Sequence, residues 1–108
     1  MNIETIAKTI QKQIGTDAWL AVSARNSTFC EVPGGVQLRF RYGSAHGLAQ
    51  WCEITYNQGR DDYTVCAYKI NRKWERVDLN YGGRAANFEG IYFDNLGWLV
   101  RDINSEAA

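Results

Sequence analysis

The 108 residues suit one domain, 1–108, and a chain this short has no core to spare for a large internal substrate chamber. Hydrophobic residues make up 45%, enough for a packed interior and too many for a disordered chain. Twelve basic and twelve acidic residues cancel, which argues against a generic basic DNA binder and against a strongly acidic nucleic-acid mimic.

The charges are unevenly spread: residues 39–84 carry eight bases against five acids, and residues 85–108 carry Arg101 against Glu89, Asp94, Asp102 and Glu106. Met1-Asn2-Ile3-Glu4-Thr5 lacks the basic and apolar regions of a secretory signal, and no apolar run approaches the ~18–20 residues that span a bilayer. Cys30, Cys52 and Cys66 are odd in number and well separated, unlike a secreted disulfide framework. Reduced thiols in a cytoplasm, two of them pointing into a core, are the expectation.

In chain order, Ile3, Ile6, Ala7, Ile10 and Ile14 recur at helical spacing, and Gly15 is a natural stop. Thr16-Asp17 suits the cap of a second short helix through Ala24. The period then changes. Val36, Leu38, Phe40 and Tyr42 alternate with Gln37, Arg39 and Arg41, the pattern of a half-buried strand. Pro33-Gly34-Gly35 reads as a turn, with Thr28–Val32 as the partner strand. Further strands are predicted at Trp51–Tyr56, Tyr63–Ile70 and Trp74–Tyr81, the last two flanking the tight loop Asn71-Arg72-Lys73. Gly82-Gly83 closes the sheet region. Phe88, Tyr92, Leu96, Leu99 and Ile103 then fall on one helical stripe, weakened by about 1 kcal/mol at each of Gly90 and Gly97. Phe40, Tyr42, Phe88 and Tyr92 are expected in the core, and Trp51 and Trp98 are candidates for exposure. The predicted fold is α+β: an N-terminal helix plus a short second one, a four- to five-stranded antiparallel sheet, and a C-terminal helix packed on one sheet face.

Ile6-Ala7-Lys8-Thr9-Ile10-Gln11-Lys12-Gln13-Ile14-Gly15, Asp62-Tyr63-Thr64-Val65 and Glu89-Gly90-Ile91-Tyr92-Phe93-Asp94-Asn95-Leu96 occur in this order. Together they resemble a family of small, functionally uncharacterised proteins encoded by phages, prophages and plasmids. The resemblance runs from the first helix to Leu96. Family members end in a Thr-Gly-Leu-Tyr-like tail, where this chain has Arg101-Asp102-Ile103-Asn104-Ser105-Glu106, and the loop Gly43–Gln50 is particular to this chain. The resemblance implies a mobile-element origin and supplies no catalytic residue. Small phage-borne proteins without enzymatic signatures often bind and block a host machine, restriction and CRISPR complexes among them.

The residues themselves offer several chemistries. Cys30, His46, Cys52 and Cys66 contain the donor types of a Cys3His zinc site but no close C-x-x-C pair, so free thiols are the plainer reading. A Cys52–His46 nucleophile pair needs a lowered thiol pKa, whereas His46 sits in the glycine-bounded stretch Gly43–Gly47 and reads as a solvated loop residue. Asp61-Asp62 follows Gly59-Arg60 in an apparent turn, and Glu53 and Asp78 suit cross-strand pairing with Arg39, Arg41 or Arg76. Gly82-Gly83-Arg84 lacks the Lys-Ser/Thr of a phosphate loop. No catalytic set, metal site or cofactor is therefore assigned.

The sharpest surface signal is Tyr68, Lys69, Arg72, Lys73, Trp74 and Arg76, with Trp74 and Arg76 expected on one strand face and Arg39 and Arg41 extending it. Arg and Trp are the residue types that carry interface energy, and they equally suit stacking and tracking of single-stranded nucleic acid. A charged edge hairpin that merely keeps the sheet soluble is the plain alternative. The expected function is stoichiometric binding by a mobile-element protein that occludes a host protein or ribonucleoprotein complex, with anti-CRISPR or anti-restriction activity as the leading case. A nucleic-acid-binding accessory protein and a small cysteine-dependent enzyme are the alternatives, and a homodimer through an unpaired sheet edge or the aromatic face is compatible with each.

Overall fold

The isoleucine stripe folds as α1 (Ile3–Ile14) in the computed structural model, which describes residues 2–43 and 50–107. Asn2 caps it by accepting the Thr5 N–H at 3.2 Å, and Gly15 ends it with its N–H on the Gln11 carbonyl. Ala7, Ile10 and Ile14 are the buried face. α2 (Thr16–Ala21) follows at once, with Gly15 at its N-cap position. Thr16 and Asp17 lie inside the first turn and no side chain caps it, so the cap expected of them is not formed. Trp19 packs from α2 onto Phe40, their ring centroids 4.8 Å apart.

β1 (Arg25–Val32), β2 (Gly35–Tyr42), β3 (Gln50–Asn57), β4 (Asp62–Ile70) and β5 (Arg76–Asp78) form an antiparallel sheet in that order. β6 (Asn80–Tyr81) and β7 (Arg84–Ala85) make a small separate hairpin, β8 (Asn87–Ile91) returns to pair with β4, and α3 (Phe93–Glu106) closes the chain. α1 and α3 contact β2 and β4 and lie against one another, so the helices share one face of the sheet. Val36, Leu38, Phe40 and Tyr42 of β2 point into that layer with Ile54, Val65, Leu96, Leu99 and Ile103. Among the described residues no helix is long and apolar enough to cross a membrane.

Beyond β4, two further expectations fail. The strand predicted over Trp74–Tyr81 divides, because Ala67 changes partners in mid-strand. Its carbonyl accepts the Leu79 N–H at 3.0 Å while its own N–H donates to the Ala86 carbonyl at 2.9 Å, so β5 leaves β4 where β8 joins it. Leu79 and Ala86 are buried at that junction, and Gly82-Gly83 turns the β6–β7 hairpin without closing the sheet. The helix stripe also starts too early. Phe88 and Ile91 belong to β8, opposite Val65 and Tyr63, and Tyr92 caps α3 with its ring exposed outside the core. Aromatic and β-branched residues fit a half-buried strand, and pairing with β4 outweighs a helical spacing that Phe88 satisfies only by coincidence.

Gly97 does lie inside α3, and its role is steric. A Cβ there would stand 2.3 Å from the Ile14 carbonyl oxygen, so the glycine lets α3 press against the end of α1.

Candidate functional site

The face of the sheet turned away from the helices carries Arg39, Arg41, Tyr68 and Arg76, half of the site residues singled out from the sequence. Strand alternation and register set them in rows. Arg41 is opposite Trp51, Trp51 opposite Tyr68, and Tyr68 opposite Asp78. The next row runs Arg39, Glu53, Cys66 and Asn87. Arg39 and Arg41 therefore extend the Tyr68–Arg76 face as expected. Both guanidinium groups lie over the Trp51 ring, 5.4 and 5.8 Å from its centroid, leaving that ring half-buried.

Arg76 organises the centre. It donates from Nη1 to both Glu53 carboxylate oxygens at 2.7 and 3.1 Å, approaches Asp78 with Nε at 3.6 Å and brings Nη2 to 2.8 Å from the Cys66 sulfur. Its guanidinium carbon stands 4.0 Å from the Tyr68 ring centroid. Glu53, Cys66 and Tyr68 are thus buried on a face that no helix covers. Burial pushes the Cys66 thiol above its ordinary range, and the neighbouring Arg76 charge only partly opposes this. Burial raises the Tyr68 phenol as well, aided by the Glu53 charge.

Trp74 does not share a strand face with Arg76. It sits in the connection between β4 and β5 on a left-handed backbone, φ 63°, with 87% of its surface exposed. Asn71 builds that loop. Its side-chain oxygen accepts the N–H groups of Lys73 and Glu75, both at 2.9 Å, and its carbonyl accepts the Trp74 N–H at 3.0 Å. The cluster read as one patch is therefore two: Arg76 and Tyr68 locked into the sheet face, and Arg72, Lys73 and Trp74 exposed at the loop tip. Lys69, opposite Val77, points to the other face from Tyr68.

The remaining candidates are dispersed. Cys52 lies in the helix-facing core, Cys66 beneath Arg76 and Cys30 on the exposed β1, and all three are free thiols. Thus two thiols are buried, but only one of them in the main core. Burial drives the Cys52 thiol far above its ordinary range, opposite to what a nucleophile requires. His46 and most of the loop Gly43–Gln50 lie outside the described residues. Among the described residues no three His, Cys, Asp or Glu side chains are grouped to hold a metal ion. Asp61 accepts the Tyr56 hydroxyl at 2.7 Å, and Asp62 accepts from Asn57 and pairs with Arg60, so both serve the β3–β4 turn. Of the cross-strand pairing expected of Glu53 and Asp78, Glu53 pairs with Arg76 across the intervening β4, whereas the Asp78 contact with Arg76 lies within β5 itself. Trp98 stands exposed beside an open groove of about 740 Å³ between the α1–α2 junction and α3.

Composition pointed to Arg76 and Trp74 but not to Asn71, whose position at the start of a tight loop was the available signal. Trp51 between two arginines depends on the β2–β3 register, which sequence alternation leaves free. Comparison of the chain with protein-family models, with curated proteins and with solved structures finds no match in any of the three.

Proposed function

We propose that this protein is a stoichiometric binding domain of phage or mobile-element origin that occludes a host protein or ribonucleoprotein complex in the bacterial cytoplasm. Anti-CRISPR or anti-restriction inhibition is the leading case. The mobile-element origin rests on the family resemblance of the three sequence segments. The observation that carries the binding reading is Trp74, a large aromatic side chain 87% exposed on a loop that Asn71 braces, with Arg72 and Lys73 beside it. A rigid aromatic anchor loses little conformational freedom on docking, and Trp with flanking cations is the composition of interface hot spots. The adjacent sheet face would surround it with polar contact area.

The same geometry favours a protein partner over single-stranded nucleic acid. Stacking needs open ring faces and phosphate tracking needs free cations. On the sheet face neither is free, since Arg76 covers the Tyr68 ring and is paired with Glu53 and Asp78 while Arg39 and Arg41 lie over Trp51. This leaves Trp74 as the open ring with cations beside it. The burial that raises the Cys52 thiol speaks against its use as the nucleophile of a cysteine enzyme. A homodimer through the exposed β1 edge is compatible with the binding reading and would show as doubled mass in solution.

The test is an affinity capture from host lysate, with and without nuclease, beside the triple variant Arg72→Glu, Lys73→Glu, Trp74→Ala. A defined protein complex that survives nuclease and is lost with the variant is expected. Undiminished capture by the variant would overturn the hairpin mechanism, and recovery of nucleic acid alone would overturn the protein-partner reading.

A further inference from the structure

At the other end of β4 from Trp74 lies a half-enclosed pocket of about 230 Å³. α1 lines it with Ile6 and Gln13, the sheet with Tyr56 and Tyr63, the β3–β4 turn with Asp61, and the first turn of α3 with Phe93. Its volume falls below the usual range for drug-sized ligands and suits one long side chain. Phe93 is 63% exposed at its rim, a large apolar ring that an occupant would cover.

The one charged side chain of this pocket is Asp61, and the Gln13 amide is the lining side chain that keeps N–H donors. The Tyr63 hydroxyl donates to the Gln13 side-chain oxygen, and the Tyr56 hydroxyl donates to Asp61 at 2.7 Å. Both phenolic protons are thereby committed, and the bond to Asp61 raises the Tyr56 pKa. What faces an incoming group is a carboxylate, phenol oxygens, the Gln13 amide and aromatic rings, with the Tyr56 and Tyr63 centroids 5.5 Å apart and tilted by 51°. The lining holds no cation. Among the described residues Asp61 forms no ion pair, since Arg60 turns to Asp62 instead. Aromatic rings beside a carboxylate attract an ammonium or guanidinium group and repel an anion, which the neutral Gln13 amide alone would meet.

We propose that this pocket receives a lysine or arginine side chain of a partner protein. The aliphatic stem lies against Ile6 and Phe93, and the cationic head sits between the tyrosine rings and the Asp61 carboxylate. The nine residues of β4 separate this pocket from the Trp74 loop by roughly 30 Å, so the proposal stands apart from the hairpin reading.

The test is a titration of isotopically labelled protein with N-acetyl-lysine amide, N-acetyl-arginine amide and the uncharged N-acetyl-norleucine amide, followed by backbone amide chemical shifts. Saturable shifts at Ile6, Asp61 and Phe93 are expected with a cationic probe and not with norleucine. Asp61→Asn should weaken binding about fivefold, the scale of one solvent-accessible ion pair. Asparagine tolerates the left-handed backbone at this position, φ 52°, so the variant should keep its fold. The Arg72→Glu, Lys73→Glu, Trp74→Ala variant should bind the probes as the parent does. Absence of shifts with both cationic probes, equal shifts with norleucine, or unchanged affinity in Asp61→Asn would each overturn the assignment.

Discussion

Trp74 holds a left-handed backbone while most of its surface meets water, so within the isolated chain little packing offsets its conformational cost. That cost is about 1 to 2 kcal/mol for a residue with a Cβ, and glycine escapes it. Trp74→Gly should therefore stabilise the fold by about 1 kcal/mol, raising the midpoint of thermal unfolding by several degrees, while weakening capture of the partner. Opposite movement of stability and binding is the signature of a residue kept for contact. A variant that melts earlier would show instead that the indole packs on the fold. Arg76 is the reverse case. Removing it leaves Glu53 buried without its cation and uncovers Tyr68 and Cys66. Because the arginine is itself about half exposed, Arg76→Ala should cost about 2 kcal/mol, less than the loss of a fully buried pair. Adding Glu53→Gln should recover much of that loss, and denaturant unfolding of the two single variants and the double variant measures the coupling. Simple additivity would contradict the pairing.

The elements show where local pattern decides structure and where distant contact does. α1 and β2 are legible because each has one dry face and a clear boundary: isoleucines at helical spacing ended by Gly15, and alternating apolar residues begun at a Pro-Gly-Gly turn. β8 was not legible. Phe88 and Tyr92 are four apart and suit a helix stripe, but Phe88 is half-buried by distant contacts, opposite Val65 and edge-on to Tyr81. The break between β5 and β6 has the same origin, since Leu79 turns inward to meet Ala67 and Ala86. For the candidate surface, composition revealed the arginines and tryptophans, while their grouping awaited the register of β2 on β3 and the Asn71-braced loop. Gly97 tests the helix layer directly. By propensity alone, Gly97→Ala would stabilise α3 by roughly 1 kcal/mol. The 2.3 Å approach to the Ile14 carbonyl reverses that sign, because backbone gives way less readily than a side chain. A net loss of about 2 kcal/mol in chemical unfolding is expected. A neutral or stabilised variant would mean that α3 does not touch α1 at this point.

Across the whole molecule, protonated thiols and phenols are packed into both faces of the sheet, and this makes the fold sensitive to base. Burial, with smaller contributions from Cys66 and Glu53, raises the Cys52 thiol from its ordinary 9.0, and burial pushes the Tyr63 phenol from 10.0 up to about 12. Tyr42 is raised in the same direction, again chiefly by burial. In each case the folded chain keeps a proton that the unfolded chain releases. Their contribution to stability is therefore complete below the unfolded-state values and declines as pH rises through them. Thermal unfolding in reducing buffer should show a level midpoint from neutrality to about pH 8.5 and a fall beyond pH 9. For the fully buried Cys52 the loss is about 1.4 kcal/mol per pH unit, and the tyrosines steepen it above pH 10. Cys52→Ala should lower stability at every pH by opening a small cavity, yet remove the first part of the alkaline decline, because no thiol remains to titrate. That flattening separates proton linkage from general alkaline damage. A parent midpoint that stays level through pH 10.5 would place Cys52 outside the dry core, and with it the register that sets Cys52 on the helix-facing side and Cys66 on the other.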